Sequence, residues 1–326
     1  MPHPFATHIG VRRLITAAVA APSVHNTQPW RFRLDGASVL ELHADPDRRL
    51  DVIDPLGRAL HISCGAALLN LRLAVRTTGH RPLVRRFPDG LDGTTLLASV
   101  QAENAPMPSL EEAELYARIP RRRTNRRPFS RRRVPEPVRG ELAAAARAEG
   151  AVLNLPGPQT TAYLLSVLAA ADERLTADGR YVAELGRWTS LRASGDGVPR
   201  YAFGPRPSGR GLPVRDFGAG DSADGRPVDD FAARPQLGVL LTGGDGPADW
   251  LRAGQALQRV LLTAERRGVS ASPLSQPLDM CGVRTGPTSR ATGHIQAIIR
   301  FGYGPPVPGT PRRPYPEVLA RARLTA

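Results

Sequence analysis

The stretch APSVHNTQPW, residues 21–30, lies between two regular patterns of this sequence. Residues 11–20 carry apolar side chains at helical spacing, and Pro22 ends that helix. From Trp30 onward apolar and polar residues alternate, which predicts a half-buried strand, paired in a hairpin with a second strand over 39–43. The stretch is therefore predicted as a rigid polar turn that joins a helix to a strand.

Two amide side chains give this turn the chemistry of a binding loop. Asn26 and Gln28 lie two residues apart and offer donors and acceptors suited to the edge of a flat heterocycle. Pro22 and Trp30 restrict the chain on either side. A helix–strand turn that is merely capped by the same polar groups is the alternative that these residues leave open.

A second polar segment combines positive charge with a hydroxyl group. Residues 122–126 read RRTNR, so Arg122, Arg123, Thr124 and Arg126 lie within one short stretch. Guanidinium groups bind phosphate oxygens through paired hydrogen bonds, and a threonine hydroxyl adds a further donor. The segment is a candidate phosphate site, although in so arginine-rich a chain it also fits a solvated surface.

The remaining sequence predicts a mixed α+β fold made of two similar halves. Residues 61–78 have apolar residues at helical spacing around small side chains, which predicts a buried central helix. The second half repeats the order of helix, strand and central helix, with its own central helix over 250–268. We therefore divide the chain into 1–118 and 119–326. The other helices and strands of the second half are predicted over 135–149, 151–155, 160–176, 236–242 and 294–301.

Two stretches lack a regular pattern. Residues 102–114 are rich in Pro, Glu and Ala and are predicted as a surface connection. Residues 195–235 contain Gly or Pro at 14 of 41 positions, a length that is uncommon inside a compact domain without a binding role or disorder. The aromatic residues Tyr201, Phe203 and Phe217 favour a lid over an apolar ligand, and plain disorder is the alternative.

The composition excludes several classes of enzyme. All 44 residues of the Lys+Arg total are arginine, which excludes pyridoxal-phosphate enzymes, Schiff-base aldolases and Walker-type nucleotide loops, since each needs a lysine. Cys64 and Cys281 lie in no metal-ligand spacing, and the histidines are scattered. A Gly-x-Ser-x-Gly elbow and a Rossmann glycine motif are missing. Any phosphate must be held by arginine or by the backbone.

The net charge of +14 makes nucleic acid a partner to weigh. Residues 121–133 contain arginine at eight of thirteen positions, but aromatic residues make up only 5% of the chain and do not interleave with this stretch. The apolar runs are too short to span a bilayer, and no signal-peptide pattern opens the sequence. We therefore expect a cytoplasmic protein with neither nucleic acid nor membrane as a partner.

These segments together resemble the nitroreductase superfamily of FMN enzymes, in particular its double-length actinobacterial branch, the Acg-like oxidoreductases. Residues 22–30 look like the family's flavin-edge loop, and residues 122–126 look like its phosphate-binding segment. Residues 250–275 are similar to the central dimer helix and the loop beside the flavin ring, and residues 302–313 to the C-terminal segment that returns to the phosphate. The likeness covers nearly the whole chain.

The resemblance implies a nitroreductase-like α+β fold in which two subunit-like halves are fused as a pseudo-dimer, with central helices against mixed or antiparallel sheets. The flavin-edge loop occurs only in the first half and the phosphate segment only in the second, so one FMN per chain and a monomeric protein are expected. The cofactor-binding residues implied by the resemblance are Pro22, Ser23, Asn26, Gln28, Arg122, Arg123, Thr124, Arg126, Ser272, Pro273, Leu274, Ser275, Arg312 and Arg313.

The resemblance also implies the chemistry. Hydride would pass through N5 of the flavin, so no catalytic side chain and no metal are expected. NADPH or NADH would be the reductant, and a nitroaromatic, a quinone or a similar small molecule the acceptor, with Tyr201, Phe203 and Phe217 beside the substrate. Two alternatives stay open at this point, namely a non-catalytic protein that sequesters FMN under its lid and, as an outsider, a nucleic-acid-binding protein.

Overall fold

The structure is a computed structural model, and it describes residues 3–91, 93–189, 195–208, 215–218, 225–232, 234–274 and 293–320. Its first sheet has five strands in the order β11-β1-β2-β4-β3. The four longer strands pair antiparallel, and β11 pairs parallel with β1. The bounds of these strands are β1 Trp30–Asp35, β2 Val39–Ala44, β3 His80–Arg86, β4 Leu96–Asn104 and β11 Leu319–Ala320.

The second sheet is antiparallel throughout and has the order β5-β8-β10-β9. Its strands are β5 Val152–Asn154, β8 Gln236–Thr242, β9 Ser270–Pro273 and β10 His294–Gly302. Two short parallel strands, β6 Arg206–Pro207 and β7 Val228–Asp229, form a separate pair. The helices are α1 His8–Val19, α2 Arg58–Arg76, α3 Leu110–Arg118, α4 Glu136–Ala148, α5 Pro158–Ala177, α6 Gly179–Trp188, α7 Pro247–Arg266 and the single turn α8 Tyr315–Val318.

Each sheet is covered by its own central helix, and the two central helices pack against each other. Helix α2 lies on the first sheet and α7 on the second. At their crossing, a Cβ on Gly65 would lie 2.1 Å from the backbone oxygen of Leu251, and one on Gly254 would lie 2.0 Å from that of Ile62. Only glycine permits so close an approach of two backbones. The molecule is thus built from two helix-on-sheet halves joined through α2 and α7.

The C-terminal part of the chain crosses from one half to the other. After β10 of the second sheet, residues 303–314 run without regular structure until β11 pairs with β1 of the first sheet. The division into 1–118 and 119–326 stays a prediction. Its boundary falls at the end of α3, while Leu319 and Ala320 belong to the sheet of the first half.

Most elements predicted from the sequence are present, and one prediction is wrong in part. The segment 102–114, predicted as a connection, contributes the end of β4 and the start of α3. Its helix begins at a capping box, in which Ser109 and Glu112 each bond the other's backbone N–H. Strands β3 and β4 and helices α3 and α6 were not predicted from the sequence. Strand β3 lies at the sheet edge and carries three arginines among its seven residues, so it lacks the apolar alternation of a half-buried strand.

The segment 195–235 has little regular structure in its described parts, which hold one turn of 3₁₀ helix at Arg200–Ala202 and the strands β6 and β7. Its apolar residues nevertheless belong to a core. Val198, Phe203 and Phe217 pack with Leu175 of α5 and with side chains of α6. Within the described residues, no helix is both long enough and apolar enough to cross a bilayer.

Candidate anion-binding cleft

A cleft of about 220 Å³ lies where the two halves and the C-terminal crossing segment meet. Four stretches line it, namely 20–26, 119–127, 201–204 and 307–312. Its lining residues are Ala20, Pro22, Ser23, Asn26, Ile119, Pro120, Arg122, Arg123, Thr124, Arg126, Arg127, Tyr201, Ala202, Gly204, Val307, Pro308, Gly309, Thr310 and Arg312. The cleft therefore brings together the two polar segments that the sequence singled out, although about a hundred residues separate them along the chain.

The first of these segments has an unusual backbone. His25, Asn26 and Gln28 have φ angles of 51°, 55° and 51°, in the left-handed region that residues other than glycine rarely adopt. Such conformations cost on the order of 1–3 kcal/mol each and persist only where the surroundings impose them. The loop is therefore held in place by contacts from outside itself.

Those contacts are made by the side chains of Asn26 and Gln28. Asn26 Nδ2 donates to the backbone oxygens of Gly197 at 2.8 Å and Pro311 at 3.0 Å. Gln28 is fully buried, donates from Nε2 to the oxygen of Gly195 at 2.8 Å, and accepts the backbone N–H of Arg313 at 2.8 Å. The loop thus connects the segment that starts at residue 195 to the C-terminal crossing segment.

The second polar segment is anchored to the edge of the second sheet. Thr124 forms a parallel bridge with Ala271 of β9, and the N–H of Asn125 donates to the Ala271 oxygen at 3.0 Å. The Asn125 side chain donates to the oxygen of Pro305 at 2.8 Å. This attachment holds residues 122–126 at the cleft.

Arg122 is the most enclosed cation of the cleft. It is 5% exposed, and its Nε and Nη1 atoms have no hydrogen-bond partner. Burial, and after it the charges of Arg312 and Arg123, lower the pKa of Arg122 to about 9, while Glu265 acts in the opposite sense. A buried guanidinium group with free donors is costly unless an anion binds to it.

Two further arginines share this environment. Burial lowers the pKa of Arg126 to about 10, with Arg215 as the second cause, and lowers the pKa of Arg312 to about 10, with Arg123 as the second cause. Arg312 Nη1 donates to Asn26 Oδ1 at 2.9 Å, and its Nε has no partner. Across the described part of the chain, no carboxylate forms an ion pair with Arg122, Arg126 or Arg312. The cleft is therefore built for an anion.

The structure separates the sequence-derived site residues into two groups. The cleft lining includes Pro22, Ser23, Asn26, Arg122, Arg123, Thr124, Arg126, Tyr201 and Arg312. Outside that lining lie Gln28, Ser272, Pro273, Leu274, Arg313, Phe203 and Phe217. Ser275 lies outside the described residues. The roles of these residues in binding a cofactor stay predictions.

Several of the residues outside the lining have protein partners. Arg313 Nη1 lies 3.7 Å from Asp45 and 3.3 Å from the backbone oxygen of Gln28, where it braces the loop. Ser272 and Pro273 pair with β10, and the N–H of Leu274 donates to the oxygen of Ile298 at 2.6 Å.

For the opposite wall of the cleft, the resemblance indicated the C-terminal segment 302–313 as a whole but singled out none of the residues 307–310. Residues 307–310 line it, and Gly309 fits there because a Cβ would lie 2.8 Å from Arg123 Nε. Tyr201, which is half exposed, donates its hydroxyl to the Gly309 oxygen at 3.0 Å and so joins two rims of the cleft. The run of Gly and Pro at 302–309 was the only local signal for this wall. Within the described residues, no group of three or more His, Cys, Asp or Glu side chains is placed to hold a metal.

The fold is α+β with two helix-on-sheet halves, and an arginine-rich cleft lies where they meet. No protein-family model matches the sequence. The protein named "Putative NAD(P)H nitroreductase Rv3131" of Mycobacterium tuberculosis is 37% identical over 96% of this chain and 93% of its own length. A second protein of that organism, the NAD(P)H nitroreductase acg, is named in the same way and is 30% identical over 98% of both chains.

The chain belongs to the family of these NAD(P)H nitroreductases, and the expected nitroreductase-like α+β fold is confirmed. A solved nitroreductase with bound FMN from Desulfitobacterium hafniense DCB-2 covers 66% of this chain and 100% of its own, at 12% identity and a TM-score of 0.38. That likeness is too low to support residue-by-residue transfer, so the family assignment rests on the two sequence relatives.

Proposed function

We propose that this chain binds FMN with its phosphate group in the arginine cleft and acts as an NAD(P)H-dependent oxidoreductase. The observation that supports this most directly is Arg122, which is buried among other arginines with two donor atoms free. A phosphate group carries close to two negative charges near neutral pH and three acceptor oxygens, which match such donors. The names of the family relatives supply the class of reaction.

The residues present fit the phosphate end of this cofactor. The free donors belong to Arg122 Nε, Arg122 Nη1 and Arg312 Nε, and the Thr124 hydroxyl lies in the same lining. At about 220 Å³ the cleft is smaller than the roughly 300–1,000 Å³ typical of sites that enclose a whole ligand. We therefore assign the cleft to the phosphate and the atoms next to it, and assign no position to the ring.

This chain's own residues bind and orient. Arg122, Arg123, Arg126 and Arg312 neutralise the phosphate, and Asn26 fixes the Arg312 guanidinium group through Oδ1. When bound, FMN supplies hydride transfer through its ring, from NADPH or NADH to a nitroaromatic, a quinone or a similar acceptor. No side chain needs to act as acid or base in that transfer, since the protein contributes orientation and excludes water.

One observation favours the second candidate, an FMN-sequestering protein. The Tyr201 hydroxyl bonds Gly309 across the cleft, and Asn26 and Gln28 bond the segment that carries Tyr201. These contacts restrict access to the cleft. Steady-state turnover separates the two candidates, because an enzyme oxidises NADPH in the presence of quinone at a rate that a sequestering protein does not reach.

The test of the proposed function is the flavin content and turnover of the purified protein. We expect a yellow protein that releases one FMN per chain and oxidises NADPH when an acceptor is added. A chain that neither retains FMN nor binds it when it is supplied would contradict the proposal. Two FMN per chain would show that both halves carry complete sites.

A further inference from the structure

One aromatic ring lies at the centre of the contacts between the segment after residue 195 and the cleft. Phe217 is 5% exposed. The guanidinium carbon of Arg126 lies 4.7 Å from the centre of its ring, and that of Arg215 lies 5.9 Å away. The ring stacks on Phe203 at 5.7 Å and meets the edge of His25 at 5.9 Å.

Arg126 depends on this neighbourhood for its position. Its Nη1 donates to the backbone oxygen of Ala202 at 3.0 Å, and its guanidinium group lies over Phe217. Both supports come from the segment that the sequence indicated as a lid. The two aromatic residues Phe203 and Phe217 lie outside the cleft lining, so they support a cleft residue from behind.

The ring also resolves an electrostatic conflict. Arg126 and Arg215 carry like charges and repel each other. The negative face of an aromatic ring attracts a guanidinium group, and this attraction is strongest where water is excluded. On the other side, Arg215 Nη1 lies 2.7 Å from His25 Nε2, a nitrogen that accepts a hydrogen bond in the neutral ring. Phe217 and His25 thus hold the two cations in fixed places.

We propose that Phe217 is a positioning residue for FMN, holding Arg126 in the orientation that binds the cofactor's phosphate group. This proposal rests on the proposed function, because it requires that Arg126 binds the phosphate group of FMN. It makes the segment after residue 195 a structural part of the cofactor site. Phe217 itself touches no ligand in this role, and its whole effect passes through Arg126.

The comparison of FMN with riboflavin, which lacks the phosphate, tests this role. In Phe217→Leu, which keeps an apolar side chain but loses the ring, we expect FMN to bind about tenfold to thirtyfold more weakly, equivalent to about 1.4–2 kcal/mol. Riboflavin affinity should not change. The matched control is Phe231→Leu, since Phe231 is also a buried aromatic of this segment that contacts a guanidinium group, but that group belongs to Arg300, which is not in the cleft lining. It should alter neither affinity.

A double-mutant cycle shows whether the effect passes through Arg126. In protein that already carries Arg126→Gln, adding Phe217→Leu should leave FMN affinity unchanged. Equal weakening of FMN and riboflavin by Phe217→Leu, or full weakening of FMN in the Arg126→Gln background, would overturn the positioning role. Equal binding of FMN and riboflavin by the unmodified protein would overturn the proposed phosphate site as well. This measurement therefore distinguishes failure of the phosphate site from failure of the Phe217 role alone. Circular dichroism of each variant verifies the fold.

Discussion

Arginines occupy two regions of this molecule in opposite ways. At the end of α4, Glu149 is 5% exposed in its side chain and lies between Arg72 Nη1 of α2 at 2.5 Å and Arg259 Nε of α7 at 2.9 Å. In the cleft, most charged neighbours of Arg122 and Arg126 are other arginines, and no carboxylate of the described residues forms an ion pair with either of them. The same residue type is neutralised within the fold at one place and left uncompensated at the other.

The difference shows which arginines serve stability and which serve binding. A guanidinium group paired with a buried carboxylate stabilises the fold, and removing one partner leaves the other uncompensated. A cluster without carboxylates destabilises the fold by repulsion and is compensated when an anion binds. Substitutions in the two regions should therefore have opposite effects on stability and on ligand affinity.

The largest expected effect is in the cleft. Replacing Arg122 and Arg126 together by Ala should weaken FMN binding by about a hundredfold or more, because each charge-assisted bond to phosphate contributes on the order of 1.5–3 kcal/mol. The flavin-free variant should unfold at the same or a higher denaturant concentration than the parent, since two buried like charges are gone. Fluorescence titration and urea unfolding measure the two quantities. A loss of stability without loss of affinity would reverse our interpretation of the cluster.

The second largest effect is expected at Glu149, which is paired with two arginines. Glu149→Gln leaves Arg72 and Arg259 without their shared carboxylate, and the free energy of unfolding should fall by about 2 kcal/mol, below the full value for a buried pair because both arginines are partly exposed. FMN affinity should stay within about twofold. If Glu149→Gln weakened FMN binding as much as the cleft variant, the two regions would not be independent.

A smaller effect concerns pH. Burial, and after it the charges of Arg215 and Arg126, hold the pKa of His25 well below 6.5. The unfolded chain then binds the proton first, so the free energy of unfolding should fall as pH drops below about 6.5, by at most about 1.4 kcal/mol per pH unit. In His25→Asn, which tolerates the left-handed backbone, this slope should become shallower. Urea unfolding between about pH 7.5 and about pH 5 measures it.

The exposed residue His8 provides the control for that slope. His8→Asn should leave the pH dependence of unfolding close to that of the parent, because this side chain lies on the surface of α1. An unchanged slope in His25→Asn would mean that His25 is not held neutral by its surroundings.

The smallest effect is expected outside both regions. Arg131 and Arg133 belong to the same basic run as Arg122 but are exposed. Replacing both by Ala should change FMN affinity by less than about twofold. Arg132 is less suited to this control, because its guanidinium group lies 4.3 Å from the centre of the Tyr303 ring. A large loss in the Arg131 and Arg133 variant would mean that net charge, and not the cleft, governs binding.

The sequence predicted the two ends of the site because each is a short local pattern. The polar turn after Pro22 indicated residues 22–28 as a binding loop, and the cluster of arginines indicated residues 122–126 as a phosphate segment. The sequence did not reveal the contact of Phe217 with Arg126, because ninety-one positions separate them and a lone aromatic residue in a Gly-rich segment has no local signature. Periodicity found α2 and α7, while their crossing through Gly65 and Gly254 became visible only in three dimensions.

The amide pair of the turn illustrates the same limit. Residue type and spacing indicated Asn26 and Gln28 as donors and acceptors for a ligand. Both make several hydrogen bonds, but apart from the Arg312 guanidinium group their partners from distant segments are backbone groups. A side chain that offers the right chemistry to a ligand offers it equally to the protein. The packing of the segment that starts at residue 195 and of the C-terminal crossing segment decides whether such a side chain bonds a ligand or the protein.

The most direct test of the phosphate site is the affinity of the unmodified, flavin-free protein for FMN and for riboflavin under identical conditions. Two or more charge-assisted bonds to the phosphate predict that FMN binds at least about a hundredfold more tightly than riboflavin. Raising the salt concentration should reduce this ratio only slightly, since the cluster is enclosed. Equal affinity for the two flavins would contradict the assignment of the arginine cleft to the phosphate group.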